Sequence, residues 1–434
     1  MESVCKENVK KVLILNNILL LNYNYKFQKI NFSFSNIKIF LCTFLAFNSM
    51  LPYFLWGKGV LICCICLLLF FVQLMQFLYD RKSRYIKYDK SFVILICSWL
   101  MLYAYRYILR EASFNNIIIG LLVNFLPVLI LLVSSENEKK KILDLFFNLI
   151  AFILFISLIE YGLVMLKILE INPKKIYFPG NDFYEYFENY GFFIIVKDTR
   201  SFYLPRFQSI FAEPGQLGMM CTLMLYGMKY DFRNKKVIVV FIATILTMSL
   251  ASFILLIVGI FLFKFWNSRH KSIMFVVLGI VAGLLILISF EYYKTNPSSP
   301  FSTAILSRLM PDEKRGIKGN NRNTEEFKRV YSEQMEIWNT NFFFGYGSDA
   351  LETKLSTSGG NASATVYIFQ FGVFGLFLLL FFYGSIIYLQ PSNIGIGYLF
   401  LFAVSFLQRP YALWFSQIVL MYCGCSEFVE KKEK

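Results

Sequence analysis

The sequence predicts an all-α polytopic membrane protein with about 12 transmembrane helices and two long loops on one side. Three observations carry this. Charged residues are 16% of the 434 and hydrophobic residues 57%, whereas a soluble globular protein has about a quarter charged residues. Apolar runs near the roughly 20 residues needed to cross a bilayer recur along the whole length. The short alternating polar and apolar segments of a β-barrel do not occur.

Taken in order, Lys10 and Lys11 precede "VLILNNILLL", which is too short to span and is interrupted by Asn16 and Asn17. No small-residue cleavage site follows, so this reads as an uncleaved interfacial segment. Clear spans are 37–55, 60–79, 91–109, 117–133, 142–168, 212–228, 273–290 and 364–388. Two stretches, 237–266 and 393–426, are longer than one span. Lys and Arg exceed Asp and Glu by 15. Nucleic-acid binding is one source of such an excess. In a membrane chain the first reading is instead that basic loops stay in the cytoplasm, and no nucleic-acid partner is expected. The loops 80–90 and 229–236 each net +3, and "SRHK" at 268–271 is also basic. All three stay on one side only if 237–266 is two short helices meeting near "TMSLAS" (247–252), where Ser and Thr can satisfy a broken helix. Arg409–Pro410 divides the last stretch, because proline disfavours helix at the residue before it. The count is then twelve, with both termini cytoplasmic.

The loops 169–211 and 291–363 fall outside. The first is rich in aromatics; the second contains "NTEEFKRVYSEQMEIW", which reads as an amphipathic helix capped by Asn323, with Glu325 and Glu326 in its first turn. Phe327, Val330, Tyr331, Gln334 and Trp338 share one face and Arg329 points roughly opposite. The whole chain, 1–434, is one integral membrane domain. Of nine cysteines, all but Cys5 lie in apolar runs or at their ends. They read as small apolar fillers, with neither a disulfide framework nor zinc spacing.

Chemistry is narrowed by what is missing. The one histidine, His270, falls in a cytoplasmic loop, which excludes a Ser-His-Asp triad or a His-ligated metal on the outer face. No glycine-rich phosphate loop follows a strand. No metal or cofactor is expected. Within the spans, Arg106 sits near the outer end of 91–109, and Glu160 lies in 142–168, where a functional and a structural hydrogen-bonding role are equally open. The outer loops carry Arg200, Arg206, Arg308, Arg315, Arg322 and Arg329. Arginine binds phosphate through a planar fork and keeps its charge. Arg206 stands out in "RFQSIFAEPGQLG" (206–218), just before a span. Pro214 suits a first helical turn, and Gly215 allows close approach of backbone or ligand. Glu213 is either a helix cap or a base or partner orienting Arg206. Gly345 and Gly347 form a Gly-x-Gly turn, and Asn361 lies in the small-residue loop before 364–388.

In this order the pieces resemble the O-antigen polymerase and O-antigen ligase superfamily of bacterial envelope glycosyltransferases. The match runs over residues 200–385: Arg206 with "FAEPGQLG", then "ILTMSLASFILLIVG", "RVYSEQMEIWNTNFFFGYG" and "NASATVYIFQFGVFGLFLLL". Relatives carry Ser-Arg in the broken-helix motif, where this chain has Ser249-Leu250. The resemblance implies a GT-C-like fold in the bacterial inner membrane. It implies a donor linked to undecaprenyl diphosphate, taken at the outer leaflet among membrane lipids, with a chain-length regulator and a flippase as partners. It implies Arg206, Glu213 and Arg329 as catalytic residues. Arg200, Arg322, Gly215, Gly345, Gly347, Asn361 and Arg409 would bind substrate, and Arg322 rivals Arg329 as second key arginine. A polymerase of O-antigen or capsular repeat units is the first expectation, because ligases of the superfamily place a histidine where Asn361 stands. The alternatives are a ligase and a non-enzymatic transporter or flippase of lipid-linked sugars.

Overall fold

Apolar stretches of this length can satisfy their backbone N–H and C=O groups in hydrocarbon by forming helices. The computed structural model describes residues 34–79, 90–109, 113–179, 185–197, 205–299, 306–312, 316–317, 323–336, 339–356, 363–409 and 413–429, with Ser302, Asn361 and Tyr411. The first helices are α1 (Phe34–Asn48), α2 (Gly59–Tyr79), α3 (Lys90–Ala104), α4 (Phe114–Leu132) and α5 (Glu136–Met165). Then come α6 (Pro214–Gly227), α7 (Lys235–Leu246), α8 (Leu250–Asn267) and α9 (Lys271–Thr295). The second loop carries α10 (Glu325–Gln334), α11 (Thr340–Phe344) and α12 (Ala350–Lys354); α13 (Ala364–Leu389), α14 (Asn393–Gln408) and α15 (Phe415–Val429) close the chain. Five of these, α2, α4, α5, α8 and α13, are long and apolar enough to cross a membrane. The chain is a helical membrane protein. The N-terminal interfacial segment and most of the basic loop 80–90 lie outside the described residues.

The expected span 37–55 ends earlier, at Asn48, because Leu51 turns at φ 56° and Pro52 is extended. The long run 237–266 does divide as its Ser and Thr residues suggested. The break is Thr247–Ser249, with Met248 at φ 45° and Thr247 Oγ1 donating to Thr244 O at 2.7 Å. At the far end, α14 stops at Gln408, and Arg409 is extended at φ −145°, ψ 122°.

The core of the bundle is α6, in which every residue from Pro214 to Gly227 is buried. It packs on α7 and α8, with α14 and α15 behind. Outward faces of the other helices present large apolar side chains such as Phe71, Phe77, Phe152 and Phe377, as expected where the surrounding solvent is lipid. At one end Lys38, almost fully buried, pairs with Glu138 at 2.6 Å. Gln76 and Ser35 donate to the same carboxylate at 3.0 and 2.9 Å, while Ser135 caps α5. Four groups from α1, α2 and α5 thus satisfy one buried acid, which fixes the register of these helices.

The opposite end carries both long loops. The first holds a three-stranded antiparallel sheet, β1 (Lys174–Ile176), β2 (Phe187–Asn189) and β3 (Ile194–Val196), so the helical class does not extend to this loop. A turn at Asn189–Gly191, with Gly191 at φ 122°, joins β2 to β3. Glu160 lies beneath it and accepts from Phe192 N at 2.7 Å, which gives this acid a structural role as anchor of the loop. In the second loop, Thr324 caps α10 by accepting from Phe327 N at 3.2 Å. Asn323, the expected cap, instead donates to Thr365 Oγ1 at 3.0 Å and accepts from Ser363 Oγ at 3.0 Å. Phe327 and Gln334 are buried against α13, and Val330 and Tyr331 pack beside them. Trp338 lies outside the described residues. Both loops meet the α7–α8 break: Phe207 N donates to Leu246 O at 3.0 Å, and Leu306 packs on Leu250 and Phe253.

Candidate functional site

The N-terminus of α6 is where the polar residues converge. Ser209, at φ 52°, bends the incoming chain; its hydroxyl meets Ser157 Oγ at 2.7 Å and its carbonyl accepts from Ile194 N at 2.8 Å. Tyr53 N donates to Ile210 O at 2.9 Å, and Tyr161 OH to Pro205 O at 2.5 Å. The segment 205–212 is therefore held from α5, the first loop and the 49–56 turn together. Pro214 then opens the helix at its first position, where its missing N–H costs nothing.

Glu213 is extended at φ −145°, ψ 137°, and its carboxylate makes no cap hydrogen bond. Its Oε2 pairs with Nη1 of Arg409, whose side chain is 6% exposed against 21% for Glu213. Arg409 Nη1 also donates to Tyr411 OH at 2.9 Å, and Tyr411 stacks on Trp414 at 4.0 Å. The guanidinium lies across Gly215: a Cβ there would stand 2.9 Å from Nη2. Gly215 thus serves close approach, and what approaches is an arginine side chain of this chain in place of the expected backbone or ligand.

Arg206 is half-buried on the other flank. Its Nε donates to Thr247 O at 2.9 Å, at the end of α7. A cation there complements the negative end of α7. Thr247 in turn packs on Gly218 in the second turn of α6. Glu213, Gly215 and Arg409 so meet at one helix N-terminus, with Arg206 linked to that helix through Thr247, and the helix dipole there favours negative charge.

The other expected residues are placed differently. Arg329 is exposed on α10, opposite Phe327, as the periodicity suggested, and its charge helps hold the Glu326 carboxyl below its usual range, after the hydrogen bonds from Ser356. Asn361 Oδ1 accepts from Thr324 N at 2.9 Å, tying the loop's return to the start of α10. Gly345 and Gly347, at φ 73° and 106°, dock on the kink of α13: Gly347 N donates to Gln370 O at 2.8 Å. Their conformations are explained by this backbone contact. Arg200, Arg315 and Arg322 lie outside the described residues. Among the described residues, no three His, Cys, Asp or Glu side chains gather to hold a metal ion.

Sequence reasoning placed Arg409 only as a helix break and a substrate-binding candidate. Its pairing with Glu213 carries no local signal, since the two flank helices distant in the chain. The arrangement can orient a guanidinium fork beside a helix N-terminus, which suits binding of a phosphate-type anion. No protein-family model, curated protein or solved structure matches the chain.

Proposed function

We propose that this chain is a polymerase of the O-antigen polymerase and ligase superfamily, joining lipid-linked oligosaccharide repeat units of an O-antigen or capsular polysaccharide. The observation that supports it best is the gathering of Arg206, Arg409 and Glu213 around the buried start of α6. This end bears both long loops, and the basic loops 229–236 and 268–271 join helices at the other. In this reading the chain crosses the inner membrane twelve times, in a GT-C-like arrangement, with the site on the outer side and both termini in the cytoplasm.

The reaction joins an acceptor hydroxyl oxygen to the anomeric carbon of the donor sugar. The bond from that carbon to the diphosphate oxygen breaks, and undecaprenyl diphosphate leaves with the electron pair. Arg206 and Arg409 meet the charge that develops on the diphosphate. Fixed donors at such a charge are worth about 10²–10³ in rate each. Glu213 holds the Arg409 fork in place, and Gly215 gives the fork room. Arg329, on the exposed face of α10, meets the incoming glycan or its diphosphate from the second loop, a role in which Arg322 is its rival. The hydroxyl proton passes to Glu213 or to water.

The ligase reading is separated by the products in cells. A strain lacking this protein is expected to attach glycan to its final acceptor as single repeats only. Long polymer left unattached on the carrier lipid would identify a ligase instead.

A further inference from the structure

Arg106 belongs to neither the paired site nor the loops. It stands on a π-helical turn, Tyr105–Leu109, that extends α3. Such turns strain a helix and recur at functional positions. Its guanidinium carbon lies 4.8 Å from the Phe371 ring centroid, 5.6 Å from Tyr107 and 5.9 Å from Tyr367. Its Nε is buried and has no hydrogen-bond partner among the described residues. Among the described residues no carboxylate pairs with it. Aromatic faces attract a cation but do not neutralise it, and an ionisable residue in a membrane helix is a functional candidate.

The residue is only half-buried. The facing helix α4 contains a second π-helical turn, Gly120–Phe125. The two turns interlock: a Cβ at Gly120 would stand 2.8 Å from Tyr107 Cζ, and Tyr103 OH donates to Ile117 O at 2.9 Å. Asn124, on the second turn, donates to Tyr107 OH at 2.8 Å and is exposed. The nearby Ile118, Ile119 and Leu121 are exposed apolar residues, as a lipid-facing surface requires. A phenol and an amide thus interrupt an apolar face, and the Arg106 guanidinium lies 5.6 Å from the ring of that phenol. The set is rich in donors and has no acid of its own, so it suits an anion that arrives with an apolar tail. Tyr367, under Arg106, also packs on Phe406 at 5.5 Å, one turn before Arg409. A chain of aromatic contacts thus runs from Arg106 to the helix that ends before Arg409.

We propose that Arg106, Tyr107 and Asn124 form a phosphate-binding notch open sideways to the bilayer, which takes the phosphate group of a membrane lipid. That the lipid is an isoprenyl diphosphate rests on the proposed function; the phosphate site does not.

The test titrates the purified full-length protein in detergent with farnesyl diphosphate and, separately, with dihexanoyl phosphatidylglycerol. Arg106→Ala is expected to weaken farnesyl diphosphate about tenfold, the effect of losing a charge-assisted hydrogen bond. Arg106→Lys keeps the charge without the stacking fork and should fall between. Asn124→Ala should weaken binding severalfold, and these two variants carry the test if the alanine at 106 does not fold. Loss of phosphatidylglycerol binding alone would support the notch as a headgroup site and count against the proposed function. Unchanged binding in all three variants, with loss in Arg206→Ala or Arg409→Ala, would overturn the notch and leave the proposed function standing. Wild-type protein that binds neither probe would overturn both.

Discussion

Arg409→Ala is expected to lower polymer formation by about 10²–10³ and to destabilise the fold. Both effects follow from the same geometry. The guanidinium is buried, and its loss takes the Arg409 ion pair away from the Glu213 carboxylate. Breaking a buried pair from one side costs about 3–5 kcal/mol, and the lower end applies here because Glu213 is partly exposed. The two effects separate in the double variant Glu213→Gln with Arg409→Ala. Removing the stranded charge should restore most of the melting temperature in detergent. Activity should stay low, because no fork is left to meet the diphosphate. Arg409→Lys should also be impaired, since a point charge cannot pair with Glu213 and reach a phosphate in one plane. Full polymer from the double variant would reduce Arg409 to a structural residue.

Gly372→Ala should be the most damaging single change outside that pair. α13 is bent at Gly372, where φ is 65° and ψ −175°. Only glycine occupies this region freely, and a side chain there costs on the order of 1–3 kcal/mol. A Cβ would also overlap Phe343 O and lie 2.6 Å from Gly345 N. These atoms are backbone and cannot swing away. The kink holds α11 and the Gly345–Gly347 turn through Tyr346 N to Phe369 O at 2.9 Å, and it receives Tyr105 OH at Phe371 O at 2.8 Å. The melting temperature should therefore fall by roughly 5 °C or more. Gly384→Ala is the control, because a Cβ there meets nothing within 4 Å. Equal melting temperatures for the two variants would contradict the account of the kink.

The helices were legible because period and length leave few choices in a membrane. So were two breaks, since the Thr247 hydroxyl bonds back to the end of α7 and a proline at 410 disfavours helix at Arg409. The start of α6 could be read from Pro214 alone. The sheet in the first loop was missed although "FENYGFFIIV" carries a turn signal at Gly191, since aromatic side chains suit a membrane interface as well as a strand. The role of Glu213 could not be read locally: a carboxylate before a helix caps by default, and here a distant arginine over Gly215 draws it away. The two π-helical turns have no local signal either, because they arise from packing Tyr107 against Gly120.

The most direct measurement reconstitutes the purified protein in liposomes with undecaprenyl diphosphate-linked repeat units and resolves the products by length. The account predicts a ladder of polymer on the carrier lipid, formed with EDTA present and lost in Arg409→Ala together with Arg206→Ala. Repeat units that stay single with intact wild-type protein, or that only change sides of the membrane, would contradict it.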